Sequence, residues 1–210
     1  MLLSDTHRGL KIILASQSKA RYAMLKNAGV NFKVIRPVVD EMAMVHELMR
    51  ASGKEKITPE KIALDLAKKK ALAVAGKNPD ALVIGSDQIL VLEGKMMSKA
   101  RSKEEAKEKL RHLRGKTHRL ISAVAVAKAG TVFWSHEEEA SLTMHDFSDE
   151  FLESYCARAG DALTKAVGAY AIEGAGAWLF SDIQGDHFTI LGMPLRPLLS
   201  YLHEYHAVNP

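Results

Sequence analysis

Ser16, Ser18, Lys19 and Arg21 lie within one short stretch, directly after the apolar run Ile12 to Leu14. Hydroxyls, cations and the free N–H groups of a helix start would together hold an anion such as a phosphate. A simpler reading of the same residues is a strand, a turn and a serine-capped helix. Asp87 follows the apolar segment Ala81 to Gly85. A carboxylate just past the C-terminal end of a buried strand stands where open α/β sheets bind ligands. It could ligate a divalent cation or act as a general base toward water. The alternative is a turn-forming aspartate. Asp40 and Glu41 also follow a β-prone run and could converge on the same place, or form an exposed loop pair. Lys70 and Lys99 could neutralise phosphates as point charges, or be ordinary surface lysines.

Other chemistries are disfavoured. The chain has no GxxxxGK[ST] loop and no GxGxxG after a strand. His203 to His206 read HEYH, which is not the HExxH metal motif. Cys156 sits in an amphipathic segment and reads as a small core residue, not a nucleophile.

The elements that must position these residues can be read from periodicity and punctuation. Ser18 caps a helix whose apolar stripe is Ala20, Met24, Leu25 and Ala28, closed by Gly29. Phe32 to Ile35 reads as a strand. Met42 to Lys56, rich in Met, His and charge, reads as a mobile stretch. Thr58-Pro59-Glu60 starts a helix ending at Gly76, with Ile62, Leu66, Ala67 and Val74 inward. Its lysines form a solvated face, although Lys70 need not share the direction of Lys68 and Lys69. Ala81 to Gly85 is a short buried strand, Gln88 to Leu92 continues extended, and Glu93-Gly94 is a turn. Ser102 with Glu105 is a capping box for a helix to about Leu113. Leu120 to Ala127, Val132 to Trp134 and Ala140 to Met144 read as three strands. Ser148 opens a helix ending near Gly160, and Gly and Ala between Val167 and Gly176 indicate close backbone approach. Trp178 to Phe180 and Phe188 to Leu191 read as strands around Gly185, and Met193 to His203 as the last helix. The pattern predicts an α/β fold with a mixed sheet.

The chain has 210 residues, a net charge of +4 and 47% hydrophobic residues, enough for a real core. Basic residues are spread out and not interleaved with aromatics, which disfavours nucleic acid as a partner and suits a polyphosphate. One cysteine allows no internal disulfide and fits a reducing compartment. No apolar run is long enough for a membrane and the N-terminus lacks a signal-peptide pattern, so a cytoplasmic protein is expected.

Taken together these segments resemble the Maf family, the septum-formation-inhibitor-type nucleoside triphosphate pyrophosphatases. LASQSKARYAML from Leu14 stands where the family carries a signature close to LASxSPRRxxLL. Asp40-Glu41 matches its DE pair, Leu66 to Ala71 its LAxxKA, and Gly85-Ser86-Asp87 its GxD. Ser98-Lys99-Ala100 is a reduced G-K-P element. Leu113, Gly115 and His118 form LxGxxH. Gly168-Ala169-Tyr170 with Gly174 and Gly176, and then Gly192 to Leu195, match the closing elements. Shared order and spacing carry the resemblance from about Lys11 to Leu202.

The resemblance implies a single domain over residues 10–206: a twisted mixed sheet flanked by helices, in two lobes around a nucleotide crevice. It implies hydrolysis of a nucleoside triphosphate to the monophosphate and pyrophosphate, with a divalent metal, Mg or Mn. Asp87 would be the proton acceptor, with Glu41 a second metal ligand. Ser16, Ser18, Arg21, Lys70 and Lys99 would hold substrate. Ala20, Gln88 and Glu173 occupy the positions that separate subtypes. Gln88 and Glu173 match the 7-methyl-GTP type, and none matches the dTTP/UTP type. A carboxylate at Glu173 can accept from guanine N–H groups. Departures at Lys19, Ala20 and Ala100 admit a second reading, a catalytically weakened nucleotide-binding regulator of cell division. A homodimer is compatible with the resemblance.

Overall fold

The computed structural model describes residues 11–51 and 57–207, with side chains to Tyr205. In chain order these form β1 (Lys11–Ala15), α1 (Lys19–Asn27), β2 (Lys33–Val34), α2 (Glu41–Ala51), α3 (Pro59–Ala75), β3 (Ala81–Leu92), β4 (Lys95–Met97) and α4 (Lys103–Leu113). Then follow β5 (Thr117–Lys128), β6 (Thr131–Met144), α5 (Asp149–Arg158), α6 (Ala162–Lys165), a 3-10 turn (Ala175–Leu179), β7 (Phe180–Gln184), α7 (His187–Leu191) and α8 (Leu195–Ala207). The sheet order is β2-β1-β3-β5-β6-β7, with β4 on β3. β1 runs parallel to β2 and β3, whereas β4 and β7 pair antiparallel, so the expected mixed α/β sheet is present.

The chain divides into two compact units. The first takes residues up to Asp87, Ser122–Glu138 and Gly192 onward; the second takes Gln88–Ile121 and Glu139–Leu191. In the first unit, Ile12 to Ala15 are buried as a continuous apolar run, as a parallel strand covered on both faces requires. Helix α3 buries Ile62, Ala63, Leu66, Ala67, Lys70, Ala71 and Val74. Gly85 makes its close seat possible. A Cβ there would stand 2.3 Å from the Ala67 carbonyl oxygen and 2.5 Å from the Ala71 nitrogen.

The second unit packs Leu90, Leu110, Leu113, Leu120, Leu142, Tyr155 and Leu179 into its own core. His118 lies within it, 2.7 Å from the Tyr170 hydroxyl, and burial lowers its pKa to about 4. Close approach is confirmed at Gly168, where a Cβ would meet the Tyr170 ring, and at Gly176, where it would meet the Ala171 backbone.

Several expectations need correction. Glu41–Ala51 is helical, because Asp40 caps it by accepting from the Ala43 N–H at 2.9 Å. The remainder of that expected mobile stretch, 52–56, lies outside the described residues. Lys70 is buried while Lys69 is exposed, so Lys70 does not share the direction of the solvated lysines, as its reading allowed. Ala81 to Leu92 is one strand, so Asp87 lies inside it. Val132–Trp134 and Ala140–Met144 are parts of one long strand, Thr131–Met144. Phe188–Leu191 is helical, not extended, because Asp186 accepts from the Phe188 and Thr189 N–H groups.

Candidate active site

Helix α1 begins where the sequence places it. Ser18 accepts the Arg21 N–H at 3.3 Å, and Ser16 accepts the Ser18 N–H at 3.2 Å. Both hydroxyls therefore shape the turn between β1 and α1. Gly29, at φ 76°, closes the helix. Ala20 is half-buried and Lys19 exposed on its first turn.

Arg21 reaches back across the unit. Its Nε donates to the Gly192 carbonyl and its Nη1 to the Ser86 carbonyl, each at 2.8 Å. Nη1 also lies 3.5 Å from the Ser16 hydroxyl. The fully buried Ser86 donates its hydroxyl to the same Gly192 carbonyl at 3.0 Å. Arg21 therefore holds the backbone beside Asp87 as well as supplying charge. Ser86 and Gly192 are the participants that the sequence reading missed. A backbone carbonyl leaves no compositional trace, and Ser86 looked like a spacer in Gly-Ser-Asp.

Asp87 sits two residues beyond Gly85, which is registered with Ala15 at the end of β1. It is thus past the end of its parallel neighbour although inside its own strand. The Asp87 residue is only 6% exposed. Lys70 Nζ lies 2.5 Å from Asp87 and 2.6 Å from Glu41. One ammonium thus bridges two carboxylates, one from β3 and one from the start of α2. Burial pushes the Asp87 carboxyl above the usual range; the Lys70 and Arg21 charges oppose that shift without cancelling it. A raised carboxyl is a stronger base once deprotonated, which suits proton transfer near neutral pH.

The remaining candidates lie in the second unit. Gln88 donates its amide nitrogen to the carbonyls of Thr189 and Ile190 at 3.1 and 3.0 Å, near the end of α7. That nitrogen is committed to the protein. Lys99 is exposed, between the exposed Ser98 and the buried Ala100. Glu173 is exposed in a turn before the 3-10 segment. Cys156 is half-buried against that unit's core, as a small packing residue should be, and burial pushes its thiol up.

Among the described residues, no group of three or more His, Cys, Asp or Glu side chains could hold a metal. Two carboxylates are enough for a hard cation that keeps waters and phosphate oxygens as its other ligands. Glu41 and Asp87 fit that role, because they already converge on one cationic position, taken by the Lys70 ammonium. Among the described residues no helix is long and apolar enough to cross a membrane.

Residues 11–205 match the family described as Maf-like protein. The chain is 45% identical over 200 residues to a nucleoside triphosphate pyrophosphatase of Granulibacter bethesdensis, covering 95% of this chain and 100% of that protein. It is 47% identical to the nucleoside triphosphate pyrophosphatase of Caulobacter vibrioides, over 94% of this chain and 97% of that one. It is 42% identical to the 7-methyl-GTP pyrophosphatase of Brucella abortus, over 95% of this chain and 98% of that one. With a family match over nearly its whole length and such relatives, the chain belongs to the Maf-like protein family.

Proposed function

We propose that this protein hydrolyses a nucleoside triphosphate to the monophosphate and pyrophosphate, with Asp87 as the base. The observation that carries the reading is the buried Asp87, bridged to Glu41 through the Lys70 ammonium. The names of its relatives support the same reaction. A bound divalent cation, Mg or Mn on Asp87 and Glu41, would offset the phosphate charge and acidify a bound water.

The chain's own residues do the rest. Asp87 takes a proton from the attacking water at a carboxylate oxygen. Lys70 is the cation that can leave its two carboxylates for a phosphate oxygen. Ser16 and Ser18 line the anion-favouring start of α1. Arg21 keeps Ser86, and so the strand carrying Asp87, in place. Lys99 supplies a further positive charge. Glu173 would accept from a guanine edge, which favours a purine or a 7-methylated guanine base. A protein acting on the nucleotide pool would work in the cytoplasm.

The test is a panel of GTP, 7-methyl-GTP, UTP, dTTP and CTP with Mg²⁺ or Mn²⁺, read as pyrophosphate release. Asp87→Asn should lower turnover by about 10²–10⁴-fold. Chelation should abolish it. A wild-type rate no greater than that of Asp87→Asn on every nucleotide would overturn the proposal.

A further inference from the structure

Lys70 is a buried ammonium that stands where a divalent cation would bind. Its Nζ lies 2.5 Å from an Asp87 carboxylate oxygen and 2.6 Å from a Glu41 oxygen. Those two carboxylates are the pair that fits a hard cation, which takes carboxylate oxygens at about 2.0–2.6 Å. One position between them cannot hold both ions, and two cations side by side repel. All three side chains belong to the first unit.

Solvent reaches the pair from the side of Glu41, whose side chain is 54% exposed, against 9% for both Lys70 and Asp87. A cation can therefore arrive from water, but it has to turn the ammonium out. The face of α3 around Lys70 gives the ammonium nothing polar, since Leu66, Ala67, Ala71 and Val74 are its buried neighbours there. A displaced charge needs a new counter-ion, because a bare charge in an apolar setting is costly. The start of α1 favours such an anion. Ser16 and Ser18 shape that turn, and Arg21 Nη1 ties it to the carbonyl of Ser86, the residue before Asp87. The Arg21 charge also acts on Asp87 itself. A phosphate at that turn is thus a near neighbour of the ammonium and can accept its N–H groups.

We infer that Lys70 is a charge plug: it closes the Glu41–Asp87 pair to a free divalent cation until a polyphosphate draws the ammonium away, so that metal and polyphosphate bind together and neither binds well alone. This rests on the pyrophosphatase reading and adds an order of binding to it. The coupling is reciprocal, so each ligand raises the affinity of the other by the same factor.

The experiment needs no turnover. Mn²⁺ alone is titrated into the full chain, with free Mn²⁺ read by electron paramagnetic resonance. Wild type should bind it weakly, and Lys70→Met about tenfold more tightly, a typical coupling between two ligands. Lys70→Gln makes the same charge change, keeps N–H donors for the carboxylates, and stands in if the methionine variant does not fold. Lys69→Met removes an equal charge from an exposed position of α3 and should stay within about twofold of wild type, because solvent and salt screen it. Asp87→Asn added to Lys70→Met should abolish the gain, since the ion then loses half of its pair. Thermal unfolding supplies the second reading. In wild type, Mn²⁺ with inorganic tripolyphosphate should raise the midpoint by more than the two separate shifts combined. Unchanged Mn²⁺ affinity in both Lys70 variants, an equal gain in Lys69→Met, a gain that survives Asp87→Asn, or merely additive shifts in wild type overturns the inference alone. A wild type that releases pyrophosphate from none of the nucleotide panel overturns the pyrophosphatase reading and the inference together.

Discussion

Among the described residues each unit of this protein buries one lysine, and the two are held in opposite ways. Lys70, in the first unit, rests between the carboxylates of Asp87 and Glu41. Lys109, in the second, rests between the carbonyls of Ser98 and Val167. Carboxylates can trade one cation for another and can take up protons. Carbonyls can do neither. A buried ammonium among carboxylates is therefore part of an exchangeable charge array, as phosphate chemistry requires. A buried ammonium among carbonyls is a fixed peg. Residue type and burial are the same in the two units, and the partners decide the role.

The largest effect should follow from removing the first lysine. Lys70→Met leaves Asp87 buried without its ammonium, a change that costs about 3–5 kcal/mol when one partner of a buried pair is lost. The loss should shrink on acidification, because Asp87 can then take a proton. Lys109→Met should show no such relief, because carbonyls do not titrate. Urea unfolding of both variants across pH checks this, and parallel pH profiles would erase the distinction.

Next in size is the buried histidine in the peg's unit. His118, with a pKa of about 4 against an ordinary 6.5, is neutral in the fold. Its contribution is fully present above pH 6.5 and is lost as the pH falls toward about 4, a total of about 3 kcal/mol. Stability curves for wild type and His118→Gln should diverge over that window, the variant showing the shallower slope.

Gly85→Ala should cost about 1–3 kcal/mol by overpacking, since its Cβ would strike the α3 backbone. It should also lower turnover by moving Lys70 away from Asp87. A variant with normal turnover would show that the seat of α3 does not set the pair. The smallest effect belongs to Ser18→Ala, which removes the α1 cap at about 1 kcal/mol. If Ser18 also meets substrate, KM rises beyond what lost stability explains; an unchanged KM would leave it a cap alone.

Local chemistry was legible along the chain. Ser18, Thr58, Ser102 and Ser148 each cap the helix they were read to open, because capping is settled within four residues. Strand breaks were misread where a long strand carries polar residues for a tertiary reason. Asp87 interrupts an apolar run because its carboxylate is paired with Lys70, seventeen residues away in the chain.

The sequence by itself determined the apolar β1 core, the capped helices, the mixed α/β pattern and the residue types able to meet a phosphate. Only the tertiary structure decided which lysine lies among carboxylates and which among carbonyls, that Arg21 holds the Ser86 and Gly192 carbonyls, and that Asp87 stands past the end of β1 while inside β3. The physical reason is one of range. Caps and periodicity are set by neighbours a few residues away. The character of a buried charge is set by partners seventeen, fifty-eight or more residues distant, brought to it by packing alone.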